Sequence, residues 1–442
     1  MLTAFSLTTF KSYHNARLPL GPLTVLIGAN ASGKSNAIEG LRLLSWLAQG
    51  QKLSSIQYEV QNSERVLRGR VNDLGYAGAV RFGIGSETNL TDWNRLELEI
   101  SLRDDGLHVS SESITSPSTA VPLYVLDQPS EGRSSDAGVA YNNFARGGKK
   151  PHITCSDQGA IFTQLDSPAT FSTEHKEARR IIPKTVRQYQ EWLSNILFLD
   201  PVPAKMRGYS FPSDHRLMGD GTNLSSVLYA LWGTDTAATD SPIKEQREAI
   251  LQFIQSLPEQ DIGTLGFLRG PRGEVMVELV ETFGGEKRRY DASLLSDGTL
   301  RVLAIAAAML SATEGSLVVI EEIDNGVHPS RARHLLERIQ AIAQRRSLRV
   351  LLSTHNPAML DALPDSAVPD VVFCYRDPGN GSSRLVRLEE VPDYPELIAQ
   401  GTLGHLMTSG TLERFVKQNP GGKERKKRAL AWLEKMRTGD TE

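Results

Sequence analysis

Residues 28 to 35, Gly28-Ala29-Asn30-Ala31-Ser32-Gly33-Lys34-Ser35, set two glycines, a lysine and a hydroxyl at the spacing G-x-x-x-x-G-K-[ST]. The chemistry served by that spacing is the holding of a polyphosphate. The glycines let the backbone curl until its N–H groups face one point, and a helix N-terminus behind the loop adds a dipole that favours an anion. Asn30, Ala31, Ser32, Gly33, Lys34, Ser35 and Asn36 are therefore the candidate nucleotide-binding residues. Lys34 is placed for the β- and γ-phosphates, and the Ser35 hydroxyl for one position on Mg²⁺. A second group is the apolar run Leu317 to Ile320, closed by Glu321 and Glu322. Taken alone, an acidic pair after a buried strand reads as an ordinary strand end. Downstream of a phosphate loop it assigns Glu321 to the metal and Glu322 to the attacking water, the two jobs that phosphoryl transfer to water requires.

Two further groups follow the same logic. Leu295-Ser296-Asp297-Gly298-Thr299 stands directly before the apolar helical pattern LRVLAIAAAML, and Ser353-Thr354-His355 closes the apolar strand pattern RVLLSTH. By themselves the first reads as a helix N-cap and the second as a structural histidine. Their order along the chain, after the loop and around the acidic pair, resembles that of the ABC-type ATPases. There the five motifs run phosphate loop, signature, acidic Walker B strand, D-loop and switch histidine. Ile323-Asp324-Asn325-Gly326-Val327-His328-Pro329 resembles the D-loop region of stand-alone RecF-like or overcoming-lysogenization-type ATPases, and Phe10-Lys11-Ser12-Tyr13 the opening of chromosome-maintenance heads. The chain thus resembles the SMC/RecF-like group (AAA_21/AAA_15, OLD-like), and is similar to stand-alone anti-phage defence ATPases of the Septu or retron-associated type.

That resemblance implies ATP and Mg²⁺ as ligands, Glu322 and His355 as catalytic residues, and Ser35 and Glu321 at the metal. It also implies that Ser296 and Gly298 bind the γ-phosphate held by a second copy of the chain. Two departures stand out: the signature has Asp297 where the family has glycine, and Glu321 stands where Asp is usual. The implied fold class is α/β, an ABC-ATPase head with a mixed sheet around the phosphate loop, an antiparallel β-subdomain and a helical lobe. The implied partners are the chain itself, as a homodimer or higher oligomer through the ATP sites, and a separate effector such as a nuclease, because no D-x-D cluster follows His355. DNA is a further candidate partner, and direct DNA repair or an ATP-bound regulatory scaffold are the rival roles. Gln57 and Gln61 are the candidate Q-loop residues.

These residues need elements to hold them. LTVLIG before the loop and NAIEGLRLLSWLAQG after it read as strand and helix, and LVVIEEID, ARHLLERIQAIAQRR, RVLLSTH and DVVFCYRD alternate strand and helix as a parallel sheet does. VRFGIG, LELEISL, LHVSSES and VPLYVLD predict antiparallel strands, and GTLGFLRG and GEVMVELVETFGG two more. Residues 127 to 175, rich in Ser, Gly, Asp and Asn, predict long loops. EHKEARRIIPKTVRQYQEWLSNILF predicts helix, ended or kinked at Pro183. The division expected is 1–126, a nucleotide-binding lobe with the phosphate loop and β-subdomain, then 127–262, an inserted loop-rich and helical lobe. Residues 263–405 complete the nucleotide-binding lobe and 406–442 form a basic helical tail.

The 442 residues, 40% of them hydrophobic, suffice for sizeable cores, and no heptad run long enough for a coiled-coil arm is present. Neither a signal peptide nor a membrane-spanning run is found, so a cytoplasmic location and no membrane partner are expected, and a transporter subunit is the weakest reading. Cys155 and Cys374 lack metal-ligand spacing. A net charge of −3, from 49 basic and 52 acidic residues, leaves nucleic-acid contact to local patches such as Lys423 to Arg428.

Overall fold

A computed structural model describes residues 1–56, 66–132, 134–233, 241–254, 262–283 and 286–418. Gln57, Gln61 and the basic run Lys423 to Arg428 lie outside the described residues. In chain order the first strands are β1 (Leu2–Phe10), β2 (Tyr13–Pro19), β3 (Leu23–Ile27), β4 (Arg81–Thr88), β5 (Arg95–Arg103) and β6 (Gly106–Ser116). They are followed by β7 (Thr119–Gln128), β8 (Asp136–Tyr141), β9 (His152–Ser156), β10 (Leu197–Leu199), β11 (Ile262–Arg269) and β12 (Val275–Phe283). The last are β13 (Glu286–Asp291), β14 (Leu317–Ile320), β15 (Arg349–Ser353), β16 (Val371–Arg376) and β17 (Ser383–Arg387). The helices that bear on the site are α1 (Lys34–Ala48), α2 (Lys176–Ser194), α3 (Pro203–Met206), α4 (Leu224–Trp232), α5 (Ser241–Ile254), α6 (Asp297–Ser311) and α7 (Pro329–Arg345).

The central sheet has the order β10-β14-β15-β3-β16-β17, parallel except for the edge strand β17. Its strands are apolar on both sides because both sides are covered. Along β3 the alternation is direct: Leu23, Val25 and Ile27 enter one core with α4 to α7, while Leu26 enters a second core with α1 and the antiparallel sheet. Val318 and Ile320 divide from Leu317 and Val319 in the same way. A sheet clad on both faces leaves only strand ends open, and in a parallel sheet the C-terminal ends share one edge. Gly28, Glu321 and Thr354 all sit at that edge, each directly after its strand or within a residue of its end.

The second sheet is antiparallel with the order β2-β1-β4-β5-β6-β7-β8-β9, and β11-β12-β13 form a third. This is the expected α/β class: mixed sheet around the phosphate loop, antiparallel β-subdomain and helical lobe. Three local expectations are overturned. The loop-rich reading of 127 to 175 is wrong where β8 and β9 extend the antiparallel sheet; Ala137, Val139 and Tyr141 enter its core from a strand flanked by Asp136 and Asn142. Of the two outcomes expected at Pro183, an end or a kink, the end is overturned, since α2 runs on to Ser194. Burying Ala178, Ile182, Pro183, Val186, Tyr189 and Leu193 offsets the cost of an interior proline, about 3 kcal/mol for the lost hydrogen bond and the ring clash together. Finally, Leu197 and Phe198, expected as the end of that helix, belong to β10, paired in parallel with β14.

Candidate ATP site

The phosphate loop adopts the curl its glycines allow. Gly28 and Gly33 have φ of +145° and +123°, and Ala31 sits at +61°, left-handed conformations that turn backbone N–H groups inward. A Cβ on Gly28 would lie 2.1 Å from the Cys374 carbonyl oxygen, and one on Gly33 2.3 Å from Ser383 Oγ, so neither position admits a side chain. Two hairpins brace the loop from outside. From β1–β2, the Tyr13 hydroxyl donates to the Gly33 carbonyl at 3.0 Å, and Ser12 Oγ accepts from Asn36 Nδ2 at 2.8 Å. From β16–β17, Arg376 Nε donates to the Ala31 carbonyl at 3.1 Å and the Ser383 hydroxyl to that of Ser32.

Lys34 opens α1, and its ammonium donates to the loop carbonyls of Gly28 at 2.6 Å and Ala29 at 3.1 Å. Burial lowers its pKa, partly offset by the negative charge of Glu322 and Asp324. A half-buried cation whose hydrogen bonds, among the described residues, go to carbonyl oxygens is electrostatically suited to a phosphate.

Opposite the loop stand the carboxylates. Glu321 Oε1 is bonded by Arg42 of α1 at 2.8 Å, and Arg42 also lies 5.0 Å over the Phe198 ring. Burial pushes the Glu321 carboxyl above the ordinary range, with Asp200 adding to the shift and Arg42 opposing it. Asp200 ends β10 beside it; desolvation raises its carboxyl too, and the charge of Glu322 contributes. Such carboxylates suit a cation brought to them. Among the described residues no group of three His, Cys, Asp or Glu side chains could hold a metal unaided. Mg²⁺ would therefore rest on Ser35, Glu321 and the oxygens of a nucleotide.

Glu322 has φ +47°, a left-handed conformation rare for a residue with a long side chain. It is held there by its N–H, which donates to Ser353 Oγ at 3.0 Å, while its carboxylate accepts from Asn325 Nδ2 at 2.7 Å. Asp324 accepts from the Thr354 hydroxyl at 2.6 Å and lies 3.9 Å from His355 Nδ1. Half of the His355 side chain is exposed.

Asn30, Ala31, Ser32, Gly33, Lys34, Ser35, Asn36, Glu321, Glu322 and His355 thus line one cavity of about 360 Å³, together with Arg68, Ser353, Thr354 and Arg376. Arg68 and Arg376 went unnoticed in the sequence. Each follows a clear element by a loop or a strand end, and no spacing ties either to the phosphate loop. Asp200 was missed because a three-residue strand carries no periodicity.

Ser296 and Gly298 do not join this cavity. Ser296 caps α6, its Oγ accepting from Thr299 N–H at 3.1 Å, and it is exposed. Gly298 packs against the D-loop: a Cβ there would lie 2.3 Å from the Gly326 carbonyl oxygen.

The profile of the family described as "AAA domain, putative AbiEii toxin, Type IV TA system" matches residues 23–152 and 157–361. The chain belongs to that family. The match includes every motif of the cavity except Arg376, and the signature as well. No curated protein matches the sequence. Among solved structures, this AAA-domain chain is similar to an SMC head bound to the C-winged helix domain of ScpA, at 13% identity and TM-score 0.47, over 87% of this chain and 96% of that one. It is also similar to the SMC head domain from Thermotoga maritima, at 12% and 0.39 over 87% and 98% of the two chains. A third is the Smc head with an extended coiled coil bound to the C-terminal domain of ScpA derived from Pyrococcus furiosus, at 12% and 0.40 over 88% and 97%. Among the described residues no helix is long and apolar enough to cross a membrane.

Proposed function

We propose that this chain binds ATP with Mg²⁺ in the cavity between the phosphate loop and Glu321, Glu322 and His355, and hydrolyses it as a dimer. The observation that carries the reading is the convergence of four strand ends, with a half-buried lysine lining the same cavity as two carboxylates and a histidine. Lys34 and the loop N–H groups neutralise and hold the phosphates, Glu322 takes a proton from the attacking water, and His355 lies beside it, backed by Asp324. Ser35 and Glu321 would hold Mg²⁺, which when bound would supply neutralisation of phosphate charge. Exposed Ser296, outside its own chain's cavity, supports a site completed by a second copy, in which the α6 N-terminus meets the γ-phosphate. The family's toxin–antitoxin description supports a defence role in which the dimer drives or gates a separate effector such as a nuclease, with DNA as a candidate ligand.

One observation favours a second reading, an ATP-bound scaffold of low turnover. Both key carboxylates are engaged within the chain, Glu321 by Arg42 and Glu322 by Asn325. The deciding experiment is ATPase rate against protein concentration for the wild type, Lys34→Ala and Ser296→Arg, with and without DNA. Specific activity that climbs with concentration and vanishes in both variants supports trans sites. Tight ATP binding with negligible turnover under every condition supports the scaffold.

A further inference from the structure

The signature contains a carboxylate where a phosphate is to be received. Asp297 is the first residue of α6 and its side chain is 68% accessible, so its charge offsets the helix dipole that would attract an anion. One side chain outside the loop answers it. Arg207, directly after α3, donates Nη1 to the Leu295 carbonyl at 2.5 Å, with the carbonyls of Ser293 and Ala292 at 3.4 and 3.5 Å, and Nη2 to the Asp297 carboxylate. The guanidinium therefore grips the turn leading into α6 and the charge at its start.

Arg207 is itself firmly placed. Asp200 N–H and Val202 N–H donate to the carbonyls of Gly219 and Asp220, each at 2.9 Å, closing the segment into a loop. Ser210 and Val275 exchange backbone hydrogen bonds at 2.9 and 2.8 Å, tying it to β12, and Met206 is buried beside it. A planar fork with several donors suits this combination of carbonyls and carboxylate, which a lysine would satisfy only in part.

We propose that Arg207 is a positioning residue of the signature. It cancels the Asp297 charge, draws that carboxylate aside, and sets Ser296 and the α6 N-terminus for the γ-phosphate on a second copy. This role rests on the trans site proposed above. It explains how a signature with an acidic residue in a glycine position remains compatible with a triphosphate.

The test is a double-mutant cycle of Arg207→Ala and Asp297→Gly, reading nucleotide binding by each subunit with a fluorescent ATP analogue and turnover across protein concentration. Arg207→Ala is expected to reduce turnover roughly 10- to 100-fold and shift its concentration dependence upward, with analogue affinity unchanged. Adding Asp297→Gly restores most of that loss, since the charge to be cancelled is gone. Wild-type turnover in Arg207→Ala, or a double variant as impaired as the single one, overturns the proposal. Wild-type turnover independent of concentration, together with an active Ser296→Arg variant, instead removes the trans site itself and this role with it.

Discussion

Among the described residues the Lys34 ammonium is bonded to the carbonyl oxygens of Gly28 and Ala29, and the desolvation that lowers its pKa is a cost a bound phosphate would reverse. Lys34→Ala is expected to cut ATP affinity or turnover by about 10²-fold or more, read by equilibrium binding of a fluorescent analogue. Gly298 is a different case. Its position in the signature points to a backbone N–H facing phosphate, but the structure adds a steric demand within the same chain, the 2.3 Å approach of a Cβ to the Gly326 carbonyl. Gly298→Ala must therefore push the D-loop, where Asn325 holds Glu322. Thermal unfolding should register a loss of about 1–3 kcal/mol, and turnover should fall even in assays saturated with ATP. Unchanged stability would mean that the D-loop yields without resistance. No spacing rule discloses this contact, because it joins the first turn of α6 to the D-loop, two segments brought together by tertiary packing.

At the scale of elements, the antiparallel sheet contains a buried acid that serves the fold and lies outside the ATP cavity. Glu112 on β6 accepts from the Tyr124 hydroxyl of β7 at 2.6 Å and from the N–H groups of Ile161 and Phe162, both at 2.7 Å. Burial outweighs these bonds and pushes its carboxyl from 4.5 up to about 7. An acid with a raised folded value binds more protons folded than unfolded between the two values, so stability falls as pH rises across that window and levels off above it. Unfolding measured from about pH 4.5 to pH 8 should show a decline on the order of a few kcal/mol that Glu112→Gln, which cannot ionise, flattens. Parallel slopes in the two proteins would rule Glu112 out as its source. The long alternating strands of this sheet were legible in the sequence because a half-buried strand writes a period of two. β8 and β9 were not, since short strands among Ser, Gly and Asn carry the composition of loops. α2 was misjudged at Pro183 because propensity is local, whereas the buried face that holds the helix together is tertiary.

For the whole molecule, the residues assigned to the phosphate loop, the acidic pair and the switch histidine line one cavity, and Ser296 and Gly298 are not among its lining residues. The convergence was legible because strand–loop–helix context accompanies each motif; Arg68 and Arg376, which also line the cavity, were not, since tertiary packing brings them in. In the function proposed above, the exposed Ser296 makes assembly the decisive variable. If ATP joins two copies, hydrolysis is the way out of the joined state, and removing the base must store it. Glu322→Gln is therefore expected to slow turnover by about 10²-fold or more, and to run as a dimer with ATP and a monomer without it in size-exclusion chromatography with light scattering. The glutamine retains a carbonyl oxygen for Asn325, so the D-loop contact need not be lost. Adding Ser296→Arg should return the protein to monomer in ATP while leaving nucleotide bound, because the phosphate loop is untouched. A Glu322→Gln variant that hydrolyses ATP at the wild-type rate would show that another group handles the water. One that binds ATP but stays monomeric at every concentration would show that the α6 N-terminus serves something other than a second copy.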